Sequence, residues 1–220
     1  MLLEITQSEI IALLKKQLTN LFTYDPHCED EALSAAIIEA LGRCERCFSR
    51  SIQKRYKKDG VPCFSPWHSG QYAIFLYFVS NSLSRAAHGS LADRVYYLNK
   101  ALNGIDLFHE ITMPEYFALD HPVGSVLGRA TYGDGFTFSH NCTVGNNHDV
   151  YPCIGVNVRM MSGSKILGGC NIGDNVILSA NSYIKDMDIP PCSLVFGQYP
   201  NVTLKHRDES YFINSTGNPP

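Results

Sequence analysis

From residue 126 onward the apolar positions of this chain keep a six-residue beat. Val126, Tyr132, Phe138, Val144 and Val150 make one run. After a single shift of register, Ile154, Met160, Ile166, Ile172, Leu178 and Ile184 make a second. In a chain that is 45% apolar, eleven apolar stations in succession are not an accident of composition. A period of six fits neither the 3.6 of a helix nor the 2 of a strand. It fits a short strand followed by a turn, repeated, with each repeat forming one side of a parallel β-solenoid. The residues two before each station are mostly small: Ala130, Phe136, Cys142, Val158, Ser164, Cys170, Val176 and Ser182. A narrow prism has room for one bulky inward side chain per side and little beside it. Gly128, Gly145, Gly155, Gly168 and Gly173, with Asn146, Asn147, Asn171, Asp174, Asn175 and Asn181, fall at the expected corners, where a left-handed backbone or tight packing is needed.

The first half carries a different pattern. Thr6-Gln7-Ser8-Glu9 reads as a capping box ahead of an apolar stripe at Ile10, Leu13, Leu14 and Leu18. A second stripe runs Leu33, Ala36, Ile37, Ala40, Leu41, Cys44. Gly60-Val61-Pro62 and Ser65-Pro66 break the chain. A third helix from about His68 to Ala87 is apolar nearly all round and is expected to be buried, with Gly89 as its stop. A fourth spans about Leu91 to Leu102 and closes at Asn103-Gly104. The expected fold class is α+β: an α-helical domain over 1–105, a parallel β-helix over 106–205, interrupted near Asp188 to Pro191, and a flexible tail over 206–220.

Composition narrows the functional classes. The net charge is −3, so no global field draws nucleic acid. No apolar run approaches the ~20 residues of a membrane span, and the N-terminus does not read as a signal peptide. Of the eight cysteines, two occupy small inward stations, where a thiol acts as a small apolar group. Cys44 and Cys47 form a CxxC with no second pair near it. A cytoplasmic protein without a metal is the expectation.

The chemistry-bearing residues sit at the junction and along the repeats. Asp106-Leu107-Phe108-His109 is followed by Leu119-Asp120-His121, with Asp106 and His121 fifteen residues apart. Then come Gly124-Ser125-Val126-Leu127-Gly128 and Met161-Ser162-Gly163-Ser164-Lys165-Ile166-Leu167-Gly168. In this order and at this spacing the stretch from about 67 to 200 resembles the serine acetyltransferases of the hexapeptide-repeat acyltransferases. The resemblance implies a left-handed parallel β-helix, assembly as a homotrimer or dimer of trimers with sites at subunit clefts, and acetyl-CoA as co-substrate. It implies an O-acetyltransferase of cysteine biosynthesis, with a sugar or other hydroxyl of surface polysaccharide as the alternative acceptor.

Acetyl transfer from a thioester to a hydroxyl needs a base for the hydroxyl proton, and a neutral imidazole serves near pH 7. By the resemblance His121 is that base, Asp106 orients it, and Asp120 binds the amino-acid substrate. The family's Arg-His-Pro loop, whose Arg holds the substrate carboxylate, is shorter here. Val150 and Tyr151 stand where Arg and His are expected, leaving His148 and Tyr151 as the substrate-side residues. Coenzyme A contacts fall, by the same resemblance, on Gly145, Ser162, Gly163, Ala180, Asn181 and Lys185, with Gly197-Gln198-Tyr199-Pro200 as a closing turn. His140 lies two residues after an inward station and is a further candidate for the cleft.

Overall fold

The computed structural model describes residues 1–216, with side chains as far as residue 212. The chain divides into two units, Met1–Glu110 and Ile111–Pro220.

Unit 1 contains β1 (Leu2–Leu3), α1 (Gln7–Leu21), α2 (Pro26–Ser49), β2 (Lys57–Lys58), β3 (Val61–Phe64), α3 (Ser69–Arg85), α4 (Gly89–Asn103) and the short β4 (Asp106–Leu107). The capping box forms as read: Thr6 accepts from the Glu9 amide, and the Glu9 carboxylate accepts from the Thr6 amide at 2.8 Å. α3 is buried continuously from Gln71 to Leu83 and packs against both α2 and α4. It is the core of this unit, as its unbroken apolar run requires. α3 stops at Arg85, with Ala87 in the left-handed region, and Gly89 opens α4 instead of ending α3. Gly104, at φ +61°, closes α4.

The purely helical reading of 1–105 is corrected by a three-stranded sheet, in the order β1-β3-β2. β2 and β3 pair antiparallel through Asp59-Gly60, whose φ values of +52° and +80° make the two-residue turn favoured in hairpins. Asp59 thus serves a turn.

Unit 2 is a parallel β-solenoid. Its strands are β5 (Phe117–Leu119), β6 (Val126–Leu127), β7 (Thr131–Tyr132), β8 (Phe136–Phe138), β9 (Thr143–Gly145), β10 (Cys153–Ile154), β11 (Arg159–Met160), β12 (Lys165–Leu167), β13 (Asn171–Ile172), β14 (Val176–Leu178), β15 (Tyr183–Lys185), β16 (Ser193–Gln198) and β17 (Asn201–His206). Every third strand stacks in parallel register, which makes three faces. Leu119, Phe138, Met160, Leu178 and Val195 stack inside the first face. Leu127, Val144, Ile166 and Ile184 stack inside the second. Tyr132, Ile154, Ile172 and Ile189 stack inside the third. All are buried, and each large aliphatic or aromatic side chain so removed from water contributes about 1.5–3 kcal/mol.

Two stations of the six-residue beat are corrected. Val126 is 43% exposed, and its neighbour Leu127 faces inward. Val150 is 51% exposed, because it lies in an inserted turn between Val144 and Ile154. The proposed break at 188–191 does not interrupt the third face, since Ile189 pairs with Ile172 and is buried.

The corners carry the positive backbone angles that a chain needs to turn sharply between short strands. Asn141, Asn157, Asn175, Asn181, Asp186 and Cys192 all lie between +47° and +60°. Gly163, at +73°, has a second reason to be glycine: a Cβ there would overlap the Asn181 side-chain oxygen of the next rung. An Asn that leans toward its neighbouring rung therefore requires a Gly above it.

β17 pairs antiparallel with β16 and covers the last rung's edge. Within the segment expected to be a tail, Glu209–Thr216 forms α5 and Phe212 is buried. Residues 217–220 of that expectation lie outside the described residues.

Candidate active-site edge

The sharpest concentration of candidate residues is the edge where the first face turns into the second. Its backbone forms a continuous hydrogen-bonded column. The His121 carbonyl accepts from the Val123 amide at 2.8 Å, and the Val123 carbonyl from Asn141 at 3.0 Å. The His140 carbonyl accepts from Gly163 at 2.9 Å, and the Ser162 carbonyl from Asn181 at 2.9 Å. The column ends at the Asn181 carbonyl, which accepts from Gln198 Nε2 at 3.2 Å. His121, Val123, His140, Ala180 and Asn181 are exposed along it, and Ser162 is half-buried.

His121 is the second residue after β5 and sits at φ +51°. This left-handed angle matches those of the other solenoid corners. The amide of half-buried Asp120 is fixed to the Phe138 carbonyl at 3.0 Å. Two side chains already noted in the sequence, His140 and Lys165, also lie on this edge. His140 Nδ1 lies 3.4 Å from Ser162 Oγ, and Lys165 Nζ donates to the Gly163 carbonyl at 3.1 Å. Lys165 is thereby held beside the small residues of the column.

The structure therefore gathers Asp120, His121, Ser162, Gly163, Ala180 and Asn181 on one edge. It places Gly145 and Lys185 at the other end of the second face, in register through Leu167. His148 and Tyr151, both exposed, lie at that far corner too. There Asn147 and Val150 exchange backbone hydrogen bonds at 3.1 and 3.0 Å, around His148 and Asp149 at φ +50° and +60°. The turn is tied down by Asn147 Nδ2 donating to Asp186 Oδ2 at 2.5 Å. One chain does not bring His148 or Tyr151 to its own His121, because the width of a face, about 10 Å by strand rise, separates them.

In unit 1 the Asp106 carboxylate accepts from the Tyr96 hydroxyl and from Lys100 Nζ, the latter at 2.5 Å. Burial first, and then the adjacent Asp106 carboxylate, push the Tyr96 phenol well above its ordinary pKa, so it remains a donor. An imidazole–carboxylate pair stands beside Tyr96. His109, 4% exposed, holds Nε2 at 2.9 Å from Asp93 Oδ1, with Phe108 and Tyr96 against its ring. The only sequence signal for it was the His three residues past Asp106.

No family model matches the chain. It is 26% identical over 145 residues to the serine acetyltransferase of Helicobacter pylori, which covers 64% of this chain and 84% of that enzyme. It is 28% identical over 135 residues to the serine acetyltransferase of Staphylococcus epidermidis, which covers 59% of this chain and 63% of that enzyme. The crystal structure of Neisseria gonorrhoeae serine acetyltransferase superposes with a TM-score of 0.70 at 19% identity, over 94% of this chain and 83% of that one. The same enzyme in complex with serine gives 0.66 at 24% identity, over 88% and 83%. The structural likenesses show the fold. They share a helical region followed by a parallel solenoid with this chain. Together with the sequence similarity to bacterial serine acetyltransferases, this fold supports an acyltransferase enzyme.

Proposed function

We propose that the chain transfers the acetyl group of acetyl-CoA to the hydroxyl of L-serine. The observation that carries this reading is the solenoid edge, which presents His121 at one end of a column of small residues. The similarity to serine acetyltransferases supports it.

His121 takes the proton of the acceptor hydroxyl as that oxygen attacks the thioester carbonyl. The tetrahedral intermediate collapses with loss of the CoA thiolate, which recovers the proton from the imidazolium. Asp106 is the partner that orients the imidazole. A carboxylate offers about four lone-pair sites, so two donors from Tyr96 and Lys100 leave it able to accept a third. Asp120 takes the acceptor's amine. The coenzyme lies along Ser162, Gly163, Ala180 and Asn181, where small side chains let its chain approach the backbone, and Gly145 and Lys185 extend the surface across the second face.

The substrate carboxylate lacks the Arg of the resembled loop, and His148 with Tyr151 take its place. They stand at the opposite corner from His121 within one chain. In this reading a homotrimer, singly or paired, sets the His148 corner of one protomer against the His121 edge of the next.

The test is release of free thiol from acetyl-CoA with L-serine, other hydroxy amino acids and sugar nucleotides offered separately. L-serine is expected to give the highest kcat/KM. Turnover with a sugar nucleotide exceeding that with L-serine would contradict the proposal.

A further inference from the structure

Unit 1 holds a cavity of about 710 Å³ between the edge of its small sheet and the start of α3. This volume lies within the range of small-molecule sites, roughly 300–1,000 Å³. Its walls are held by Gln71, which is 1% exposed. Gln71 Oε1 accepts from the Ser65 amide at 2.6 Å, and its Nε2 donates to the Arg55 carbonyl at 2.7 Å, so one buried amide joins the two segments that face each other across the opening. His68, which lines the cavity, accepts from the Gln71 amide through Nδ1 at 3.2 Å, which leaves its ring proton on Nε2. Burial first, and then the charge on Arg55, keep His68 below its ordinary pKa and therefore neutral near pH 7.

The charges at the mouth are unbalanced. Arg55 and Lys58 line the cavity, and among the described residues neither forms an ion pair with a carboxylate. The one carboxylate in the lining is Glu4. Beside them Trp67 is 65% exposed, and among the described residues no ring stacks on it. A large aromatic left open beside two uncompensated cations is a platform for a flat ring with a negative charge next to it.

We propose that this cavity binds a small anion carrying a planar ring, of the nucleotide class. The ring stacks on Trp67, the phosphates lie between Arg55 and Lys58, and Glu4 accepts from a hydroxyl or amine of the ligand. The site uses none of the solenoid-edge residues, so it stands or falls apart from the acetyl-transfer reading.

Trp67 is the single tryptophan of the chain, so its fluorescence reports the cavity directly. The full chain is titrated with ADP, adenosine and inorganic phosphate, with calorimetry in parallel. ADP is expected to quench saturably, with a dissociation constant on the order of 100 µM or tighter. Adenosine alone and phosphate alone are each expected to bind at least about tenfold more weakly. The double variant Arg55→Ala/Lys58→Ala is expected to weaken ADP at least about tenfold with an unchanged thermal melt, since both side chains are exposed. Lys16→Ala, an exposed cation on α1 outside the cavity lining, is expected to leave the titration unchanged. The proposal is overturned by any of four results: no binding up to about 5 mM ADP, heat of binding without a change in Trp67 emission, phosphate binding as tightly as ADP, or ADP affinity indifferent to Arg55 and Lys58.

Discussion

At the scale of single residues, the corners of the solenoid are where sequence and geometry constrain each other most tightly. Gly163 and Asn181 lie one full coil apart, both left-handed, and the Asn side chain fills the space a Cβ on residue 163 would need. Gly163→Ala is therefore expected to destabilise the fold by about 1–3 kcal/mol, through both backbone strain and the overlap. Adding Asn181→Gly removes the overlap but not the strain, so equilibrium denaturation of the double variant is expected to recover part of the loss. An additive double variant would show that the two residues do not interact. The edge residues Ser162, Gly163, Ala180 and Asn181 were named through the family resemblance, and they share one edge because residues eighteen apart fall on successive coils. Val126 was misread as an inward station. Two adjacent apolar residues, Val126 and Leu127, fit the beat equally well, and only the stacking of Leu127 on Val144 decides between them.

At the scale of elements, the long helices and the repeat were readable because each repeats its pattern several times over. The two-residue β2 and the four-residue β3 were not, since they are too short to alternate clearly, although Asp59-Gly60 between them is a recognised hairpin signal. The turn at Asn147–Val150 was unreadable because its position depends on Asp186, thirty-nine residues later. The helices of unit 1 are tied by a charged clamp that gives a signed pH prediction. Arg94 of α4 grips both carboxylate oxygens of Glu29 on α2, with the two side chains 17% and 20% exposed. The Arg94 hydrogen bonds, ahead of the opposing effect of burial, hold Glu29 below its ordinary pKa. The folded chain thus takes up this proton less readily than the unfolded chain, so the stabilisation is complete above the unfolded carboxylate's pKa, about 4.3. It is lost as pH falls through the lower folded value. Glu29→Gln is expected to cost about 1–2 kcal/mol at pH 7, and thermal melts should show the gap from the unmutated chain closing below about pH 4. A gap independent of pH would remove the clamp's charge from the account.

At the scale of the whole molecule, the separation of His121 and His148 across one face is the feature with the widest consequence. If each site is completed by a neighbour, the active species is an assembly. Sedimentation is expected to find a trimer or a multiple of three, and activity is expected to fall on dilution in step with dissociation. A fully active monomer would contradict this. The family resemblance implied sites at subunit clefts, but which corner each histidine occupies was not readable from the repeat. Their places at opposite corners emerge only once the four additional residues between Val144 and Ile154 are folded into a turn.

His121→Asn tests the central claim most directly, because asparagine tolerates the left-handed backbone at φ +51° and so leaves the corner intact. Thiol release from acetyl-CoA with L-serine and calorimetric binding of CoA are measured on the same preparation. The account predicts that kcat falls by at least about a hundredfold while CoA affinity changes by less than about threefold. Turnover within a few fold of the unmutated chain would contradict it.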